Sequence, residues 1–149
     1  MRNFTIETMD GKKLAWANSN WTHLAISTGI PARLTPADTD NYILSEKLEM
    51  DYAPRKIKLP DDMISQESFT VQKHHLDTNH HVNNCQYICM AEDFLPEDFK
   101  VYQMRAEYKM QAKLGDMIWP KAKVESGKVV VSLDDEKGKP YAIVELAEK

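Results

Sequence analysis

Residues 74–84 read HHLDTNHHVNN and hold four of the chain's five histidines, one aspartate and three asparagines. They stand directly before the apolar run Tyr87–Ala91. Three kinds of chemistry could use them. A metal centre would draw on His75, Asp77 and His81, since imidazoles and a carboxylate are good zinc ligands. Short-range zinc motifs place their ligands on one helical face or across a tight knuckle, and this spacing does neither. No Cys-x-x-Cys or His-x-x-x-His supports a metal site elsewhere, so no metal is expected. A purely structural turn is the second reading. Asn83 or Asn84 would cap the following helix and Asp77 would close an Asx-turn, because such side chains satisfy free backbone N–H groups.

The third reading is a catalytic loop. Asp77, Asn79 and His81 alternate, and in an extended segment they would share one side. The helix start behind them offers unpaired N–H groups and a positive dipole end, suited to a carbonyl oxygen gaining negative charge. A carboxylate beside an imidazole can orient it, and either group can activate water. These are the parts of an acyl hydrolase. The residues alone leave the cap and the catalytic loop both standing.

The elements that must position this stretch can be read around it. Segment 3–26 reads as two strands, FTIETM and KLAWANSNWTHLAI, joined at Asp10-Gly11, a strong hairpin signal. Residues 31–65 hold four of the seven prolines and little periodicity, which reads as a linker. The strand ESFTVQK leads into the histidine loop. VNNCQYICMAEDFL then reads as a helix apolar almost all round and buried on most sides, with Cys85 and Cys89 as core thiols. In 101–111, Tyr102, Met104, Ala106, Tyr108 and Met110 alternate with polar residues, the pattern of a half-buried strand. That alternation points Gln111 to the polar side unless a bulge turns it. Strands MIWPKAKVE, KVVVSLD and PYAIVELA follow. One buried helix and a run of antiparallel strands predict an α+β hotdog fold, a curved sheet wrapped around a helix. Trp16, Trp21, Tyr87, Tyr102 and Tyr108 read as sheet and core packing.

Composition bounds the function. The chain has 149 residues, 42% apolar and 28% charged, enough for one core. A net charge of −4 gives no basic footprint for nucleic acid. No apolar run approaches the ~20 residues of a membrane span, and MRNFTIETMDG has no secretory h-region. Two cysteines four apart suggest no disulfide framework, which makes a reducing cytoplasm the default. The run Arg55-Lys56-x-Lys58 reads as a solvated charge run.

The stretch D-T-N-H-H-V-N-N-C-Q-Y closely resembles the D-x-N-x-H-V-N-N-x-x-Y signature of acyl-[acyl-carrier-protein] thioesterases of the plant and bacterial type. DGKKLAWANSNW resembles a strand of that family's first hotdog, and AEYKMQAKLGD resembles its E-Y-x-x-E-x-x-x-G-D strand. The resemblance implies a thioester hydrolase that releases a fatty acid from acyl carrier protein without a cofactor. It implies catalytic roles for Asp77, Asn79 and His81. The family's later catalytic glutamate falls on Gln111, which can orient water through hydrogen bonds but cannot take its proton. A position that is often cysteine in the family is Ala112 here. Family members carry two hotdog repeats in one chain. Gly-Lys-x-x-Ala occurs at 11–15 and again at 138–142. On this reading residues 1–30 are the end of an incomplete first repeat, 31–65 a linker and 66–149 the complete second repeat. The chain would then be truncated, with self-association through the incomplete repeat. The rival expectation is a remnant without catalysis that binds acyl groups or dimerises.

Overall fold

The computed structural model describes residues 1–149, and the chain divides into two compact units, Met1–Tyr52 and Ala53–Lys149. The first holds an antiparallel hairpin of β1 (Arg2–Glu7) and β2 (Lys13–Ser19). Its turn is closed by Thr8 N–H to the Lys12 carbonyl and Gly11 N–H to the Thr8 carbonyl, both 2.9 Å. Gly11 takes φ 84°, a left-handed conformation that suits a residue without Cβ. The second strand was expected to reach Ile26 but ends at Ser19, because its one partner runs out at the pair Arg2–Ser19. Beyond it only Leu24 bridges Pro31. A single helical turn, α1 (Pro36–Thr39), starts at Thr35, whose N–H and hydroxyl both donate to the Asp38 carboxylate. Trp16 and Trp21, expected in packed positions, are exposed together with Phe4, Ile6 and Leu14.

The second unit contains β3 (Ile64–Ser65), β4 (Phe69–Thr70), α2 (Asn84–Glu92), β5 (Gln103–Tyr108), β6 (Met117–Glu125), β7 (Lys128–Asp134) and β8 (Pro140–Ala147). The strands form one antiparallel sheet in the order β3-β6-β7-β8-β5, with β4 also on β6. Alternation sends Val129, Val131 and Leu133 of β7 and Ala142, Val144 and Leu146 of β8 to one face. There they pack with Tyr87, Met90 and Ala91 of α2. Burying each large aliphatic side chain contributes roughly 1.5–3 kcal/mol. This is the expected hotdog arrangement. Pro120 sits inside β6 without breaking the sheet, because it falls in the gap between β4 and β3, where its carbonyl accepts the Gln66 N–H at 2.9 Å.

The outer face of the sheet is crossed by the chain between Pro54 and Met63. Ile57 is buried with Val130 and Ile143, flanked by Leu59 and Met63. Arg105 pairs with Glu145 at 2.7 Å and donates to the Pro54 carbonyl at 2.6 Å, while Glu107 accepts the Ile57 N–H at 3.2 Å. The stretch expected as a linker, 31–65, is therefore divided: from Ala53 onward it belongs to the second unit.

Two burial expectations are corrected. The helix is one-sided. Tyr87, Met90 and Ala91 face the sheet, whereas Cys85 and Cys89 are exposed. At 100° per residue the cysteines fall on the face turned away from the only sheet this unit has. Likewise Tyr102, Met104 and Tyr108 are 63%, 47% and 41% exposed. β5 is the edge of the sheet, and the core between α2 and the strands centres on β7 and β8.

The two Gly-Lys turns are alike in hydrogen bonding. Asp135 N–H donates to the Lys139 carbonyl and Gly138 N–H to the Asp135 carbonyl, matching Thr8, Gly11 and Lys12. A side-chain oxygen, Thr8 Oγ1 or Asp135 Oδ1, accepts the following lysine N–H in each turn. No helix is long and apolar enough to cross a membrane.

Candidate active site

The histidine stretch forms a tight turn between β4 and α2. A 3-10 turn at Lys73–His75 is stapled by His75, whose Nδ1 accepts the Gln72 N–H at 2.9 Å. Leu76 and Val82 then pair as an isolated antiparallel bridge. Between them Asp77 N–H donates to the His81 carbonyl at 2.9 Å and His80 N–H to the Asp77 carbonyl at 3.1 Å. His80 has φ 61°, a strained conformation for a residue with Cβ. The stretch thus forms a closed turn, not the extended segment in which the three side chains would share one side. Local side chain–backbone bonds win over extension here, because this stretch has no strand partner beyond the single bridge.

The turn is organised around one carboxylate. Asp77 Oδ1 accepts the Asn79 N–H at 2.8 Å and, more weakly, the His81 N–H at 3.4 Å. The Asn79 side-chain amide lies 3.5 Å from Oδ2. Partial loss of hydration works to raise the Asp77 pKa. The two N–H groups, the Asn79 side chain and the charge of His81 outweigh it and hold the carboxyl below the ordinary aspartate value. Asp77 is therefore an anion across the neutral range. Asn79 is exposed and His81 half-buried. Asn83 caps α2, its side chain accepting the Cys85 N–H at 2.9 Å, so the structural cap and the turn coexist with the candidate catalytic groups.

Gln111 follows a break in β5. Lys109 and Met110 both donate to the Tyr141 carbonyl, at 2.8 and 3.2 Å. Two successive amides on one acceptor mark a bulge, which ends the alternation before Gln111. The next residue, Ala112, is fully buried; its carbonyl accepts the Val82 N–H at 2.9 Å and its own N–H donates to the Tyr87 hydroxyl at 2.9 Å. Gln111 is exposed, one residue from the segment that pairs beside His81. Sequence reasoning placed Tyr87 in the core but missed its hydroxyl. The available signal was chemical: a buried tyrosine needs a partner for its oxygen. No three His, Cys, Asp or Glu side chains converge as a metal site, and His75 is engaged with the Gln72 amide.

An anionic carboxylate, a side-chain amide and an imidazole on one turn, ahead of a helix N-terminus, can hold and deprotonate water beside a polarised carbonyl. The model of the acyl-ACP thioesterase C-terminal domain matches residues 57–142. Among curated proteins, no sequence matches the chain. Among solved structures, an acyl-ACP thioesterase from Bacteroides thetaiotaomicron is similar, at 21% identity and TM-score 0.83 over 97% of this chain and 60% of that one. The 12:0-ACP thioesterase from Umbellularia californica is similar at 16% identity and TM-score 0.75, over 97% of this chain and 59% of that one. The chain thus spans about 60% of the length of these structures, which at such identities share its fold. With more than half of its own length matched by the family model, the chain belongs to the acyl-ACP thioesterase family.

Proposed function

We propose that the chain hydrolyses the thioester of a fatty acyl group held on acyl carrier protein, releasing a free fatty acid for fatty acid biosynthesis in the cytoplasm. The observation that carries this reading is the ionised Asp77 holding the backbone N–H groups of Asn79 and His81 in one turn at the entrance to α2, in a chain of this family. His81, oriented by Asp77, takes a proton from water as its oxygen bonds to the thioester carbon. The Asn79 side-chain amide and the positive end of the α2 dipole stabilise the developing oxyanion. The tetrahedral adduct collapses with cleavage of the C–S bond, and the imidazolium returns its proton to the departing thiolate, which leaves as the thiol. Gln111 helps to hold the water. No metal or organic cofactor is required, because a thioester is already activated. We further assign residues 1–30 to a first repeat and the second unit to a second one, a division supported by the matching turns at Gly11 and Gly138.

One observation favours a second reading. Gln111 stands where the family carries a carboxylate, and a hotdog that binds acyl groups without cleaving them would need none. Purified protein incubated with acyl carrier protein loaded with chains of several lengths separates the two. Thiol release that is lost in Asp77→Asn supports hydrolysis, whereas binding without release supports the acyl-binding remnant.

A further inference from the structure

Tyr87 carries a buried polar group that the proposed chemistry does not use directly. Tyr87, Ala112 and Val82 are 2%, 0% and 4% exposed. The Tyr87 hydroxyl oxygen accepts the Ala112 N–H and the Ala112 carbonyl accepts the Val82 N–H, each at 2.9 Å. Phenylalanine would fill the same space against the sheet. In an apolar core a hydroxyl costs free energy unless it is bonded, so this one needs a reason. The reason lies in the bulge. Past Met110 the chain has left β5, and the Ala112 amide has no ladder partner. The Tyr87 oxygen supplies the acceptor that the sheet does not. Burial keeps the phenol protonated, since it pushes the Tyr87 pKa up, so its oxygen acts as a neutral acceptor.

We infer that Tyr87 is a positioning residue, which fixes the Gln111–Ala112 segment to α2 and, through the Ala112 carbonyl, to Val82 beside His81. This inference rests on the thioesterase reading for its kinetic consequence. One helix then references both halves of the site. Its first residues follow directly from the Asp77–His81 turn, and Tyr87, at the end of its first turn, holds the segment carrying Gln111. A displacement of either half by about 1 Å is enough to cost a large factor in rate, even when substrate still binds.

Tyr87→Phe removes the oxygen and little else. With acyl carrier protein substrates we expect kcat to fall by about tenfold or more, with KM nearly unchanged. In a Gln111→Ala background the same substitution should cost little further, because the group being positioned is gone. Amide hydrogen exchange gives a readout independent of activity. Exchange at Ala112 and Val82 should quicken in Tyr87→Phe, while the Asn79 and Cys85 amides, held by the Asp77 and Asn83 side chains, stay unchanged. An unchanged kcat with only a lowered melting temperature would make Tyr87 a packing residue and overturn the inference. So would a full additional loss in the Gln111→Ala background. If the unsubstituted protein releases no thiol, the hydrolase reading fails separately. Exchange alone then decides the link: quickened at both amides supports it, unchanged at Val82 overturns it.

Discussion

Asp77 and His81 close on each other through the backbone: the Asp77 N–H donates to the His81 carbonyl at 2.9 Å, while the Asp77 carboxylate lies 3.4 Å from the His81 amide nitrogen. The carboxylate is thus committed to holding the turn. Asparagine at position 77 would keep an acceptor oxygen for the Asn79 amide but lose the charge. Asp77→Asn should therefore stay folded, with a somewhat lowered melting temperature, and lose hydrolysis by ~10²-fold or more. His81→Ala should lose a similar factor. If both variants hydrolyse acyl thioesters at full rate, the turn is only a cap.

Gln111 tests the missing carboxylate. Gln111→Glu is nearly isosteric, and the residue is exposed, so the fold should tolerate it. We expect faster hydrolysis, since the new group can accept a proton where glutamine cannot. Steady-state rates on one acyl carrier protein substrate check this, and an unchanged rate would make Gln111 a bystander.

Stability should depend on pH in two windows. Burial, with a smaller contribution from the neighbouring His74, holds the His75 pKa below the ordinary histidine value of 6.5. The unfolded chain then takes up a proton before the folded one does. The stability from this group is complete above about 6.5 and is lost as pH falls through the folded value. Asp77 is likewise depressed, from 3.8, so its contribution is complete above that value and is lost at still lower pH. Melting temperatures recorded from about pH 7 to 5 should fall, and His75→Gln, which keeps a neutral acceptor but cannot titrate, should flatten the slope.

The outward face of α2 predicts two reactive thiols. Cys85 and Cys89 are both exposed, so a colorimetric disulfide reagent should titrate two thiols per native chain without denaturant. Serine at either position should change stability by no more than about 0.5 kcal/mol, the usual scale for an open surface site. Labelling that requires unfolding would place these thiols under cover.

The first unit presents Phe4, Ile6, Leu14, Trp16 and Trp21 on a two-stranded sheet with an open edge. Bare apolar strands of this kind favour pairing between chains. Sedimentation at tens of micromolar, roughly the range in which exposed strands associate, should show species larger than a monomer. A clean monomer would count against this.

Local chemistry was enough to read much of this protein. The strands read as MIWPKAKVE, KVVVSLD and PYAIVELA form at 117–125, 128–134 and 140–147, joined by turns at Gly127 and Gly138, both with positive φ. The Asn83 cap and the Asp77 turn follow from side chains that bond their own backbone within a few residues. Such features depend on neighbours in sequence, and so they are visible there. What depended on neighbours in space was not. Whether Cys85, Cys89, Tyr102 and Tyr108 are covered depends on where the sheet ends and which face of α2 meets it, and hydrophobicity alone predicted the wrong answer. The alternation of 101–111 hid the bulge at Tyr141, because two amides sharing one carbonyl is a relation between segments 31 and 32 residues apart. Only the tertiary structure could bring Tyr87, Ala112 and Val82 into one chain of hydrogen bonds: a buried hydroxyl and an amide stranded by the bulge each needed a partner that no local segment could supply.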